Sequence, residues 1–234
     1  MPHRLHTLPA AVKKENTRTQ TRWKIFRPSM IAARESTENY VKFGKRFINN
    51  FKHHTLKGEH EFAIDLHRSF RGSPISVSLA FNTLGEEVHT RIAFEARVEF
   101  NKNEVFITAL QGKPGKARQI KEFEEIVKMP ITNYLVLEIE KQAKANGYSR
   151  VVFPTPEVMA SYKSPNPLGG LNERGKELAA KFSEKGLSDK EKTELNHLLD
   201  QARERIRRRI HRTYTYVARD LGYTHQGHIF VKEL

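Results

Sequence analysis

The segment Leu110-Gln111-Gly112-Lys113-Pro114-Gly115-Lys116-Ala117 sets two glycines and a small residue between an alternating, strand-like pattern and a helical one. The first N–H groups of a helix carry partial positive charge, and glycine lets an anion approach the backbone closely. With Lys113 and Lys116 adding point charges, such a loop could cradle a diphosphate. The same residues would also make an ordinary strand-to-helix turn with solvated lysines.

A second concentration of charge lies further on. Arg203, Arg205, Arg207, Arg208, Arg209 and Arg212 fall within ten residues that hold one acid, Glu204. Arginines spread around three helical turns could lie on the phosphates of a nucleic acid. They could also pair with Glu177, Glu184, Glu191 and Glu194 of neighbouring helices, or attract an acidic ligand. The chain as a whole is basic: 234 residues carry 41 Lys and Arg against 27 Asp and Glu, a formal charge of +14. Eight of those cations and the single acid Glu15 fall in the first 34 residues, beside Trp23 and Phe26.

Other chemistries drop out. Without cysteine there is no disulfide, thiolate metal site or cysteine nucleophile. No serine-hydrolase elbow, P-loop lysine motif or dinucleotide fingerprint is present. His53, His54 and His60, and His225 with His228, lack the spacing and carboxylate support of a metal site, so no metal is expected. No apolar run is long enough to cross a membrane and no secretory leader is visible, which makes the cytoplasm the expected location and a membrane partner unexpected.

The elements that would position these residues follow from periodicity. Residues 1–28 read as a basic, flexible arm, and Met30 to Phe51 as one or two amphipathic helices. Phe62-Ile64-Leu66, then Ile75 to Phe81, alternate as half-buried strands do. Ile92 to Phe100 and Val105 to Leu110, joined by Asn101-Lys102-Asn103, predict a hairpin. Helices follow at 117–129 and 131–146, with Pro130 between them and Gly147 as a C′ residue. Val151-Val152-Phe153 reads as a strand buried on both faces and parallel to a neighbour. A proline-rich loop spans 154–171, and helices run over 172–185 and 188–221. The second opens on a Ser188/Glu191 capping box. Residues 228–232 form a closing strand.

This order resembles the GNAT superfamily of acyl-CoA-dependent N-acyltransferases over roughly residues 60–234. Residues 111–117 are similar to that family's pyrophosphate loop, with one extra residue between Gln111 and Gly115. Ala218-Arg219-Asp220-Leu221-Gly222-Tyr223 before a closing strand looks like its last helix and exit. The resemblance implies that acetyl-CoA or another acyl-CoA is the co-substrate, bound at Leu110, Gln111, Gly112, Lys113, Gly115, Lys116 and Ala117. It also implies a gap between strands 105–110 and 150–153 and direct attack by an acceptor amine. The thiolate-protonating tyrosine of the family falls at Ala218, so Tyr214 or Tyr216 would take that role. Glu95 or Glu99 would serve as the base, although either could instead be a solvent-facing strand residue.

The expectation is therefore an α/β fold with a mixed, mostly antiparallel sheet, helices on both faces and an inserted helical hairpin at about 158–205 within a single domain, 29–234. The expected function is transfer of an acyl, most simply an acetyl, group to an unidentified amine. The alternative is a basic protein on the same scaffold that binds nucleic acid or the ribosome without catalysis.

Overall fold

The computed structural model of the protein describes residues 42, 44–51, 54–57, 61–68, 75–82, 92–184 and 186–234. The arm read at 1–28 and the helical pattern up to residue 41 lie outside the described residues, as do His53 and His60.

Among the described residues eight strands form one mixed, mostly antiparallel open sheet in the order β1-β2-β3-β4-β5-β6-β8-β7. They are β1 (His54–Lys57), β2 (Glu61–Arg68), β3 (Ile75–Asn82), β4 (Ile92–Phe100), β5 (Glu104–Gly112), β6 (Arg150–Pro154), β7 (Thr224–Gln226) and β8 (Ile229–Glu233). Strands β1 to β5 run as an antiparallel meander. The β4–β5 turn closes through mutual backbone bonds between Asn101 and Glu104, and the Asn101 side chain accepts from the Lys102 N–H at 2.7 Å. β6 pairs parallel to β5 and antiparallel to β8. Two elements differ from the periodicity reading. β1 is an additional edge strand, and the C-terminal segment is a hairpin, β7–β8, turning at Gly227, rather than one strand.

Among the described residues the helices are α1 (Lys45–Asn49), α2 (Ala117–Val127), α3 (Ile131–Ala145), α4 (Ala160–Lys163), α5 (Glu173–Glu184) and α6 (Asp189–Asp220). Alternation sorts the strands onto two faces. Phe62, Ile64, Val77, Phe94, Ala96, Val98, Phe100, Val105, Ile107, Val151 and Phe153 join Phe47, Phe123, Leu135, Ile139, Tyr214 and Val217 in the main core, so α2, α3 and the last turns of α6 lie on that face. Phe123 of α2 locks the packing, edge-on to Phe62 at 5.5 Å and to Tyr134 of α3 at 5.1 Å. On the opposite face the apolar cluster consists of strand residues, Phe106, Val152 and Val231 with Ile229.

Both ends of α6 are written in the sequence. Ser188 accepts from the Glu191 N–H while the Glu191 carboxylate accepts from the Ser188 N–H at 3.0 Å, a complete capping box. At the far end Gly222 takes φ +74°, where a side chain would be strained. This lets Tyr223 N–H reach the Ala218 carbonyl at 2.8 Å and Gly222 N–H reach Arg219. Ser188→Ala is expected to cost about 1 kcal/mol, read as a lower urea midpoint with unchanged slope and faster amide exchange in the first turn of α6.

The long segment after β6 is not loose. A 3-10 turn at Pro156–Val158, α4 and a second 3-10 turn at Leu168–Gly170 lie against α6. Arg207 donates to the Tyr162 carbonyl at 3.2 Å and Arg205 to the Gly170 carbonyl at 3.0 Å. The α5–α6 hairpin buries Leu178, Leu187 and Leu195 between its arms.

Candidate functional site

The parallel pair β5–β6 is laddered over only three positions, Glu104 with Arg150, Val105 with Val151 and Phe106 with Val152. β5 then continues for six residues without a partner in β6. Two local features separate the strands. The β4–β5 register shifts between Val98 opposite Ile107 and Arg97 opposite Ala109, a bulge that bends β5. β6 ends on Pro154, which has no N–H to donate, while its other edge stays paired with β8 along its whole length. The result is a fork opening toward the C-terminal end of β5.

Tyr214 of α6 stands in this fork. It is 2% exposed, packs edge-on to Phe153 of β6 at 6.0 Å, and its hydroxyl accepts from the Leu110 N–H at 2.9 Å. That amide lies beyond the end of the parallel ladder. Burial pushes the phenol well above its ordinary range, against the opposing effects of the Leu110 hydrogen bond and the Arg97 charge, so the hydroxyl stays protonated. The other tyrosine singled out, Tyr216, is two residues away on a helix and so on a different face: it is 47% exposed, with the Arg219 guanidinium 4.7 Å from its ring centre. Helical periodicity separates the two, because Tyr214 is four residues before the buried Ala218 and shares its face.

The loop after β5 contains one residue in the left-handed region, Gly115 at φ +77°, and a Cβ built there meets nothing within 4 Å. α2 starts at Ala117 with no side-chain cap on its N-cap, Lys116. A helix leaves its first N–H groups without intrahelical acceptors, so an open, uncapped start next to a glycine suits a phosphate. Not every predicted residue faces that space. Lys113 N–H is committed to the Ala93 carbonyl at 2.9 Å, and its Nζ lies 3.0 Å from Glu95. A Cβ on Gly112 would touch Phe94 at 3.4 Å and Ile120 at 3.7 Å, so this glycine serves the packing of α2 on β4. Gln111 is exposed, opposite Glu95 in the β4–β5 register.

Glu95 and Glu99 are not solvent-facing: they are 5% and 8% exposed, on the sheet face opposite the main core. Glu95 accepts from Arg97 at 2.6 Å and pairs with Lys113. Burial alone would raise its carboxyl, but the hydrogen bonds and charges of Lys113 and Arg97 outweigh it and hold the group below its ordinary range. A carboxylate clamped by two cations is a weak base. The sequence offered a sign of this clamp, since period two places Arg97 beside Glu95 on one strand face.

The six arginines separate into two sets. Arg203 pairs with Asp200 at 2.5 Å, Arg207 with Glu204 and the backbone of α4, and Arg205 with Gly170. Arg208, Arg209 and Arg212 are exposed and have no partner among the described residues. Three of the acids offered as partners are used elsewhere, Glu194 and Glu177 by Arg174 at 2.9 and 3.6 Å and Glu191 by Lys181 at 2.5 Å. Among the described residues no cluster of three His, Asp or Glu gathers to hold a metal, and no helix is long and apolar enough to cross a membrane. No family model matches the chain, and neither curated proteins nor solved structures give a significant match.

Proposed function

We propose that the chain is an acyl-CoA-dependent N-acyltransferase that passes an acyl group, in the simplest case acetyl, to an amine by direct attack. The observation that carries this reading is the fork: a parallel strand pair that opens after three residues, with a β5 amide inside it and a protonated tyrosine on that amide. Acyl-CoA supplies an activated thioester to such a site.

The residues of the chain divide the remaining work. Gly115 and the uncapped start of α2 would bind the diphosphate, with the loop backbone as the main donor because Lys113 is turned to Glu95. The Leu110 N–H would polarise the reacting carbonyl once the Tyr214 hydroxyl yields it, and the same hydroxyl, kept neutral by burial, would give its proton to the leaving sulfur and regain one from the nitrogen that has attacked. Phe153 and Ile107, both fully buried, exclude water from the fork. Tyr216 lies outside this arrangement, and the clamped Glu95 supports the loop rather than abstracting a proton.

Thermal unfolding tests the reading. At a hundredfold excess over its dissociation constant, acetyl-CoA should stabilise the chain by about 2.7 kcal/mol, a rise of roughly 5 °C or more in Tm. Gly115→Glu should abolish the shift by setting a carboxylate where the phosphates would lie, whereas Gly115→Ala, strained but sterically open, should retain most of it. Absence of a shift with acetyl-, malonyl- and long-chain acyl-CoA would sink the proposal.

A further inference from the structure

Six exposed or partly exposed positions of α6 align on its outer side. Arg208, Arg212, Tyr216 and Arg219 are spaced i, i+4, i+8 and i+11, and Arg205 and Arg209 flank them. At 1.5 Å per residue the row from Arg208 to Arg219 is about 17 Å long. The helix face opposite it carries Tyr214, Val217 and Ala218 into the protein, so the row is held rigid from beneath.

Charge alone would make this a solvated helix. Two further features set it apart. Tyr216, in the middle of the row, is 47% exposed and keeps an arginine on its ring. Beside it a recess of about 200 Å3 opens between α6 and the start of α3, lined by Pro130, Thr132, Asn133, Arg212, Thr213, Tyr216 and Asp220. The one acid there, Asp220, is engaged by Arg219 at 2.7 Å and by Asn133, so it does not cancel the charge of Arg212. An exposed aromatic ring at the rim of a recess suits an unstacked base, and the arginines suit the phosphates on either side.

We infer that the outer face of α6 is a docking surface for single-stranded RNA, with Arg208, Arg209 and Arg212 on phosphates and one base received at Tyr216. RNA is chosen over DNA because folded RNA presents unpaired bases in loops and ends as a matter of course, while duplex DNA stacks them away. This inference uses none of the fork residues and stands apart from acyl transfer.

Fluorescence anisotropy on the full chain tests it with a fluorescein-labelled twelve-nucleotide uridine RNA and, as comparators, the same length of single-stranded DNA and of double-stranded RNA. The single-stranded RNA should bind most tightly of the three. Charge reversal of Arg208, Arg209 and Arg212 to Glu should weaken binding at least a hundredfold and flatten the slope of log affinity against log salt by about 2, one phosphate contact per arginine. Tyr216→Ala should weaken the single strand about 5- to 100-fold while leaving the duplex unchanged. If the charge reversal perturbs folding by circular dichroism, the triple change to Gln gives the same slope test. Binding that is absent, unmoved by the arginine changes, equal for duplex or DNA, or indifferent to Tyr216→Ala overturns the inference.

Discussion

Tyr214→Phe is expected to lower stability by about 1–3 kcal/mol and, with a competent acceptor amine, to slow acyl transfer by at least a hundredfold. The stability loss follows from one atom. Phenylalanine keeps the ring against Phe153, but the Leu110 N–H loses its acceptor inside a fork where no β6 carbonyl replaces it. A buried donor left unsatisfied costs about 1–3 kcal/mol, more than a typical exposed hydrogen bond contributes. The rate loss follows from the second use of the same hydroxyl, because general acid catalysis by one group is worth about 10²–10⁴. Urea denaturation reads the first effect, and thioester consumption over a panel of amines reads the second. Tyr216→Phe, on the outer face, should change neither. If Tyr214→Phe destabilises but leaves transfer intact, the tyrosine is a strut that props the fork, and the proton must come from elsewhere.

The elements that position the fork were legible because their patterns are local. Alternation marked β2 to β5, the apolar run 151–153 marked a strand with neighbours on both sides, and the Ser188/Glu191 pair marked the start of α6 to the residue. The edge strands β1 and β7 were not legible, since each is short and β7 is exposed throughout, so neither imposes a period on its residues. The site was legible in part. Loop residues 111–117 could be marked as a unit, but that Lys113 turns to Glu95 while Gly115 faces open space depends on which sheet face each side chain leaves from. The bulge between Ile107 and Ala109 resets that count by one residue, and no sequence signal announces it. The same reset brings the Leu110 amide to Tyr214. For the arginines, spacing sorts Arg203 and Arg207 from the outer row but leaves Arg205 on it. That Arg205 and Arg207 are held by carbonyls of residues 170, 162 and 163 comes from tertiary packing.

Glu95→Gln is expected to destabilise the chain by about 2–3 kcal/mol at neutral pH, and the deficit should vanish on acidification. The amide fills the same volume but leaves Arg97 and Lys113 without the charge that faces them in a site where Glu95 is almost fully enclosed. Breaking one side of a buried ion pair costs about 3–5 kcal/mol, and the partial exposure of Lys113 brings the figure down. The pH dependence has a definite sign. The Glu95 carboxyl is held below the ordinary glutamate value of 4.5, so the folded state releases its proton more readily than the unfolded chain does. Its contribution is therefore complete above that value and is lost as pH falls through the lower, folded pKa. Urea midpoints of the wild type and Glu95→Gln should accordingly converge as the pH falls below the ordinary glutamate range; a gap that stays constant down to the lowest pH at which the chain is folded would refute the clamp. A second substitution separates support from catalysis. If the clamp is the role of Glu95, adding Lys113→Gln to Glu95→Gln should cost less than the sum of the two single changes, because each single variant strands a partner that the double variant removes. A base would behave otherwise, with activity falling far more than stability and the acidic limb of the pH–rate profile disappearing. The two cations on Glu95 favour the first outcome, since the ion pair that steadies the loop also withdraws the carboxylate from proton transfer.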